Sequence, residues 1–361
     1  MSLDGRSTPD RPVSVLVIGD RFVLNSLLVD ALREELGPRL ELIREPVELP
    51  WPVEPFGDVA EVHEACGSEE EMLALVPGAE VIVTEMAPIT ERVLQAADRL
   101  KLIVVCRGGP VNVNLAAATE RGIPVCFTPG RNAAATAEYT IGLMLSALRW
   151  IPFAHGELKE GRWRGDFYAY DQAGEELEGK RVGLVGFGAV GRRVARILLA
   201  FGAEVMVTDP MVTPEAAAEA GVRWLPLAEM LPQSEVLSLH ARLTPETRGM
   251  IGAKELSALP RGAVVVNSAR GALLDADALC DALESGHLRA AALDVYDPEP
   301  PPPSSRLFRA PRLVLSPHIG GATRETAERA ARQAAEEVGR FARGEALAWV
   351  ANAQALASTR S

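Results

Sequence analysis

From Arg181 to Ala195 the chain reads RVGLVGFGAVGRRVA: an apolar strand, a GxGxxG turn and the opening of a helix in one stretch. A lone GxGxxG is weak, because glycines also populate ordinary turns. Here the next apolar run, Val205-Met-Val-Thr, ends on Asp209, eighteen residues beyond Gly191. Each position has a physical task. Gly186 permits the tight turn, Gly188 lets the backbone approach a pyrophosphate, and Gly191 lets helix and strand pack closely. The helix N-terminus offers free N–H groups and the positive end of its dipole to phosphates. Asp209 would accept hydrogen bonds from an adenosine ribose and repel a 2′-phosphate, so the pattern favours NAD over NADP.

The rest of the chain repeats this alternation of apolar runs and helix-period segments, which predicts an α/β protein built on parallel sheets. Val13–Ile18 reads as a buried strand, and Leu24–Leu36 as a helix stopped by Gly37-Pro38. Ser68 to Glu71 has the spacing of a capping box, and the helix it opens ends at Pro77-Gly78. Strands are expected at Val81–Val83 and Leu102–Val105, a helix at Leu115–Glu120, and a long apolar helix from Ala133 to about Trp150. Beyond the fingerprint, strands are expected at Val236–Leu239, Val264–Val266 and Ala290–Leu293, and a last long helix from Thr323 to Arg343. Pro298 to Pro303 must be loop.

At 361 residues the chain exceeds one ordinary core and suits two domains. Its net charge of −12 argues against nucleic acid or an anionic membrane as a partner. A polar N-terminus, with no apolar signal region, leads to the expectation of a cytoplasmic protein. Cys66, Cys106, Cys126 and Cys280 are scattered, and neither a zinc site nor a disulfide framework is implied.

Three further patterns stand at predicted strand ends, where doubly wound sheets place ligands. In VVVNSARG, Arg270 can hold a carboxylate through two parallel hydrogen bonds. In AAALDVYDPEP stand Asp294 and Glu299, and in VLSPHIGG stands His318. Oxidising an alcohol needs a base for its proton, and histidine can serve as base or acid near neutrality. A neighbouring carboxylate such as Glu299 would orient the ring of His318. The other histidines compete poorly. His63, His155 and His287 fall on polar loops or helix ends, and His240 closes a strand near the fingerprint with no carboxylate motif beside it.

At these residues the chain resembles the D-isomer-specific 2-hydroxyacid dehydrogenases, over nearly its whole length from about Val81 to Leu356. The resemblance implies an NAD-dependent enzyme acting on a small 2-hydroxy or 2-oxo acid, of hydroxypyruvate/glyoxylate or phosphoglycerate type. In it Arg270 binds substrate, His318 moves the proton and Glu299 tunes that histidine. It further implies that Asp294 contacts the nicotinamide carboxamide, that Ala189, Val190, Ser268 and Ala269 line the cofactor through their backbones, and that Gly108 and Gly109 bind substrate. The implied fold is two flavodoxin/Rossmann-like domains: an NAD-binding domain at 134–320 inserted into a substrate-binding domain formed by 1–133 and 321–361. A homodimer is expected, with the apolar residues Ile141, Leu143, Met144 and Leu145 serving either the interface or the core. With the sequence closing at Ser361, no appended regulatory domain is expected.

Three departures from the family pattern stand out. Members acting on phosphoglycerate carry Arg-Ser after the strand that here reads Val81-Ile-Val. This chain has Thr84-Glu85, which would repel a phosphate unless Arg107 or Arg131 compensates. The turn Gly108-Gly-Pro-Val-Asn112 is one residue shorter than usual, and the loop from Trp163 to Tyr170 is longer and more aromatic. Two alternatives stay open: an NAD(H)-sensing, corepressor-like binding protein of the same fold, and formate oxidation. The second is disfavoured because formate enzymes of the family carry Gln where Glu299 stands.

Overall fold

The computed structural model describes residues 11–358, which divide into two compact units. The first runs to Asn132 and resumes at Ala322; the second is Ala133–Gly321.

In the first unit, β1 (Val13–Gly19), β2 (Leu40–Leu42), β3 (Val47–Glu48), β6 (Val81–Thr84), β7 (Leu102–Val105) and β8 (Val125–Phe127) form a parallel sheet of order β2-β1-β6-β7-β8, with β3 pairing the end of β1. Between them β4 (Gly57–Val59) and β5 (Val62–Ala65) make a short antiparallel pair. Strands β6 and β7 are buried on both faces, which is why they read as unbroken apolar runs. One face is covered by the helices Asn25–Leu36 and Arg324–Arg343. The latter presents Ala327, Ala330, Ala331, Ala334, Ala335, Val338 and Ala342, one stripe at helical spacing. Thr323 caps its start by accepting the Thr326 amide at 3.2 Å, and Gly344 ends it in the left-handed region.

In the second unit, β9 (Arg181–Val185), β10 (Glu204–Thr208), β11 (Arg223–Trp224), β12 (Val236–Leu239), β13 (Ala263–Asn267), β14 (Leu288–Leu293) and β15 (Leu313–Leu315) form a parallel sheet of order β11-β10-β9-β12-β13-β14-β15. The helices Ala133–Arg149 and Ala189–Ala200 pack on it. In each sheet the chain winds first to one side of its opening strand and then to the other. The order therefore reverses between β1 and β6 in the first unit and between β9 and β12 in the second. Ligands of such sheets bind beyond the carboxyl ends of the strands at that reversal.

The apolar residues of the helix Ala133–Arg149 are core: Ile141, Leu143 and Met144 are buried, and Leu145 packs against the same cluster. This helix stops because Trp150 turns left-handed (φ 58°), and a second helix, Ile151–Lys159, begins with Pro152 in its first turn. Exposed apolar side chains lie beyond it instead, on Ile151, Leu158, Trp163, Tyr168 and Tyr170.

Candidate active site

The fingerprint turn joins β9 to the helix Ala189–Ala200. Gly186 has φ +100°, and a Cβ there would lie 2.6 Å from the amide nitrogen of Ala241. A Cβ on Gly191 would lie 2.3 Å from the Gly186 carbonyl oxygen. Both positions therefore require glycine for steric reasons. Gly188 differs, because a Cβ there would meet nothing within 4 Å. Open space thus stands above the turn where the amides of Ala189, Val190 and Gly191 open the helix without intrahelical partners. That arrangement fits a pyrophosphate. Asp209, at the end of β10, accepts the amides of Phe187 (2.7 Å) and Met211 (2.8 Å). It locks the turn against the neighbouring strand and keeps one further acceptor position on each oxygen.

Arg270, Glu299 and His318 follow β13, β14 and β15, three neighbouring strands that end on one edge. His318 Nδ1 is 2.5 Å from Glu299 Oε1, and both side chains are part-exposed. The backbone of His318 is left-handed (φ 54°), a conformation that costs a non-glycine residue about 1–3 kcal/mol. Asp294 offsets this cost. Its Oδ1 accepts from Ser316 Oγ (2.7 Å) and the Ile319 amide (3.0 Å), and its Oδ2 accepts the Gly320 amide (2.7 Å). A carboxylate just beyond β14 thus clamps the turn that carries the histidine. Tyr296 adds a bond from its hydroxyl to the Ser316 carbonyl (2.8 Å). These holding contacts were not legible in the sequence; the sole signal was the shared motif of Asp294, Tyr296 and Glu299.

Arg270 is exposed and donates from Nη1 to the Ala269 carbonyl (2.8 Å). The Ala269 amide in turn donates to Asn267 Oδ1 (3.0 Å), so both backbone groups of Ala269 are engaged within the turn. Ser268 points inward. Its hydroxyl lies 2.6 Å from that of Thr140, which itself donates to the Thr136 carbonyl, so Ser268 is the donor of the pair. Of the other histidines, His240 follows β12 beneath the fingerprint, and burial pushes it down to about 4. It is therefore neutral at physiological pH, and its ring bonds Ser238 rather than a carboxylate. His63 pairs with Asp58 at the surface, His155 is exposed, and His287 is half-buried against the Leu256 carbonyl (3.0 Å).

Comparison with known proteins identifies the family. Residues 141–320 match the family described as D-isomer specific 2-hydroxyacid dehydrogenase, NAD binding domain. The TT0316 protein from Thermus thermophilus has the same fold (TM-score 0.77) at 36% identity, covering 93% of this chain and 99% of that one.

The chain belongs to the D-isomer specific 2-hydroxyacid dehydrogenases.

A glyoxylate reductase from Paecilomyes thermophila is a second structural relative of this family member, with 30% identity, TM-score 0.76, and coverage of 95% and 99% of the two chains. The D-3-phosphoglycerate dehydrogenase of Mycobacterium bovis is 39% identical over 291 residues, 80% of this chain and 54% of that one. The chain spans about half the length of the curated relatives it matches. The cofactor of the matched domain is NAD, and the residues of the fingerprint turn suit it.

In the first unit, Gly108 and Gly109 follow β7, also on a carboxyl edge, and neither is buried. Arg107 beside them is ion-paired with Glu64 and donates to the Glu64 carbonyl (2.8 Å). Arg131, following β8, bonds Glu85 Oε1 from Nη2 at 2.5 Å, and both are buried. Arg131 therefore neutralises Glu85 directly, whereas Arg107 is committed to Glu64. Among the described residues no helix is long and apolar enough to cross a membrane.

Proposed function

We propose that this protein is an NAD-dependent oxidoreductase that interconverts a D-2-hydroxy acid and its 2-oxo acid. In this reading Ala133–Gly321 binds the cofactor and the other unit contributes to substrate binding. The observation that carries it is the His318–Glu299 contact of 2.5 Å, one strand away from an exposed Arg270 and in the same unit as the fingerprint. The guanidinium of Arg270 holds the substrate carboxylate and draws charge toward it from the 2-oxo group. His318 takes the hydroxyl proton in oxidation and returns it in reduction, from Nε2, since Nδ1 faces Glu299. Glu299 holds the ring in one orientation, and Asp294 holds the backbone beneath it. Bound at the fingerprint, NAD supplies the two-electron acceptor, and the D hand follows from the family.

The test is oxidation of NADH against a panel of glyoxylate, hydroxypyruvate, pyruvate, 2-oxobutyrate and 3-phosphohydroxypyruvate. His318→Ala should lower kcat by roughly 10²–10⁴-fold, and Arg270→Ala should lose turnover with a raised KM. Both variants should still bind NADH, read by quenching of protein fluorescence. Near-normal turnover by either variant would remove that residue from the mechanism.

A further inference from the structure

Tyr296 stands in the loop after β14, between Asp294 and Glu299, and its groups reach the supports of Arg270, Glu299 and His318 alike. Its hydroxyl lies 2.8 Å from the Ser316 carbonyl oxygen and 3.4 Å from that of Leu293, and donates to the nearer. The Ser316 carbonyl also accepts the amide of His318 at 3.1 Å. One oxygen thus receives both the tyrosine hydroxyl and the backbone of the left-handed histidine. The Tyr296 amide donates to Glu299 Oε2 (3.4 Å), the carboxylate oxygen that is not bonded to His318. The Tyr296 carbonyl is pressed against the residue after Arg270, since a Cβ on Gly271 would fall 2.0 Å from its oxygen. The ring is half-buried and packs on an apolar cluster of the second unit. Burial, opposed by the bond to Ser316 and joined by the charges of Asp294 and Glu299 and by Tyr139, pushes the hydroxyl up to about 12 from an ordinary 10.0. It therefore keeps its proton at physiological pH and serves as a fixed donor.

We propose that Tyr296 is a positioning residue: through the Ser316 carbonyl its hydroxyl fixes the direction in which His318 presents its ring to Glu299 on one side and to substrate on the other. The proposal rests on the function put forward above. A residue in a sparsely populated backbone region stays there only while its surroundings over-determine it. Asp294 holds this turn by its amides and by the Ser316 side chain, whereas Tyr296 holds its carbonyl, so neither support duplicates the other. Without the hydroxyl the Ser316 carbonyl keeps one donor in place of two, and the His318 ring is free to drift from Glu299. Small misplacements of a reacting group lower rate steeply. The substrate carboxylate and the cofactor rest on other residues, so the defect falls on rate and spares binding.

The test is Tyr296→Phe, which keeps the ring and removes only the hydroxyl. Tyr296→Leu is the harsher change, and Tyr168→Phe, on an exposed ring, is the control. With the 2-oxo acid that wild type turns over best, Tyr296→Phe should lower kcat roughly tenfold, the contribution of one hydrogen bond. KM and the NADH dissociation constant should stay within about twofold of wild type. Tyr296→Leu should lose more, so that phenylalanine restores part of the rate. A second readout needs no turnover. The proton on His318 Nδ1, bonded to Glu299, should resonate far downfield in the proton spectrum and be absent from His318→Ala. It should move upfield in Tyr296→Phe and stay in place in Tyr168→Phe. Wild-type kcat in Tyr296→Phe, or an unmoved resonance beside a lowered unfolding temperature, overturns the proposal. A rise in KM or in the NADH dissociation constant that accounts for the whole defect does the same. If no 2-oxo acid is turned over yet the resonance moves as stated, the positioning of His318 stands and the catalytic reading fails.

Discussion

Asp20 carries the largest carboxylate shift among the described residues. Burial first, and the neighbouring charge of Glu85 second, push it up to about 7 from an ordinary value of 3.8. The folded state thus holds a proton that the unfolded chain releases near pH 4. Between about 4 and 7 the native protein binds more protons, so this group makes stability fall as pH rises, with the loss complete above 7. Asp20→Asn keeps the oxygen that caps Phe22 and Val23 and imitates the protonated acid. Its unfolding temperature should lack the wild-type decline between pH 5 and pH 8 and exceed wild type at pH 8; parallel curves for the two proteins would show that Asp20 does not titrate in this window. Sequence reasoning reached His318 and Glu299 because their motif is local and ordered. It also left His240 aside for want of a carboxylate; in the fold its ring bonds Ser238. Asp20 escaped notice although an acid closing an apolar strand was in plain view, since nothing local says which residue 65 positions away will face it.

At the scale of elements, the strands and helices expected from periodicity lie within a residue or two of those observed, because strands buried on both faces and amphipathic helices write their environment into contiguous sequence. The short elements β2, β3, β4, β5 and β11 were not anticipated; runs of two to four mixed residues carry no period to read. What links elements at the site is close backbone contact. The turn after β13 presses on the loop after β14 so tightly that a Cβ on Gly271 would fall 1.9 Å from the carbonyl carbon of Tyr296. Gly271→Ala must part these segments, displacing Arg270 on one side and the Glu299 loop on the other. We expect a loss of about 1–3 kcal/mol in urea unfolding together with reduced kcat; wild-type stability and turnover would mean that the two loops part freely.

At the scale of the molecule, the four hydrophobic clusters among the described residues each lie within one unit: two draw only on Ala133–Gly321, and two only on the remainder. Residues 133–321 expressed alone should therefore unfold cooperatively and bind NADH. Residues 11–132 alone should not fold, because the alanine stripe of Arg324–Arg343 supplies one cover of their sheet; circular dichroism and fluorescence titration of the two fragments check this, and a folded 11–132 would contradict it. The sequence by itself determined the parallel α/β class, the NAD fingerprint and the order of Arg270, Glu299 and His318, since these depend on contiguous apolar periods and on short motifs that carry their own geometry. Tertiary structure alone decided that Arg131 meets Glu85 across 46 residues, that Asp20 joins them, and that Asp294 clamps the turn of His318. Those contacts follow from sheet order and strand register, which place distant strand ends side by side without leaving any trace in local sequence.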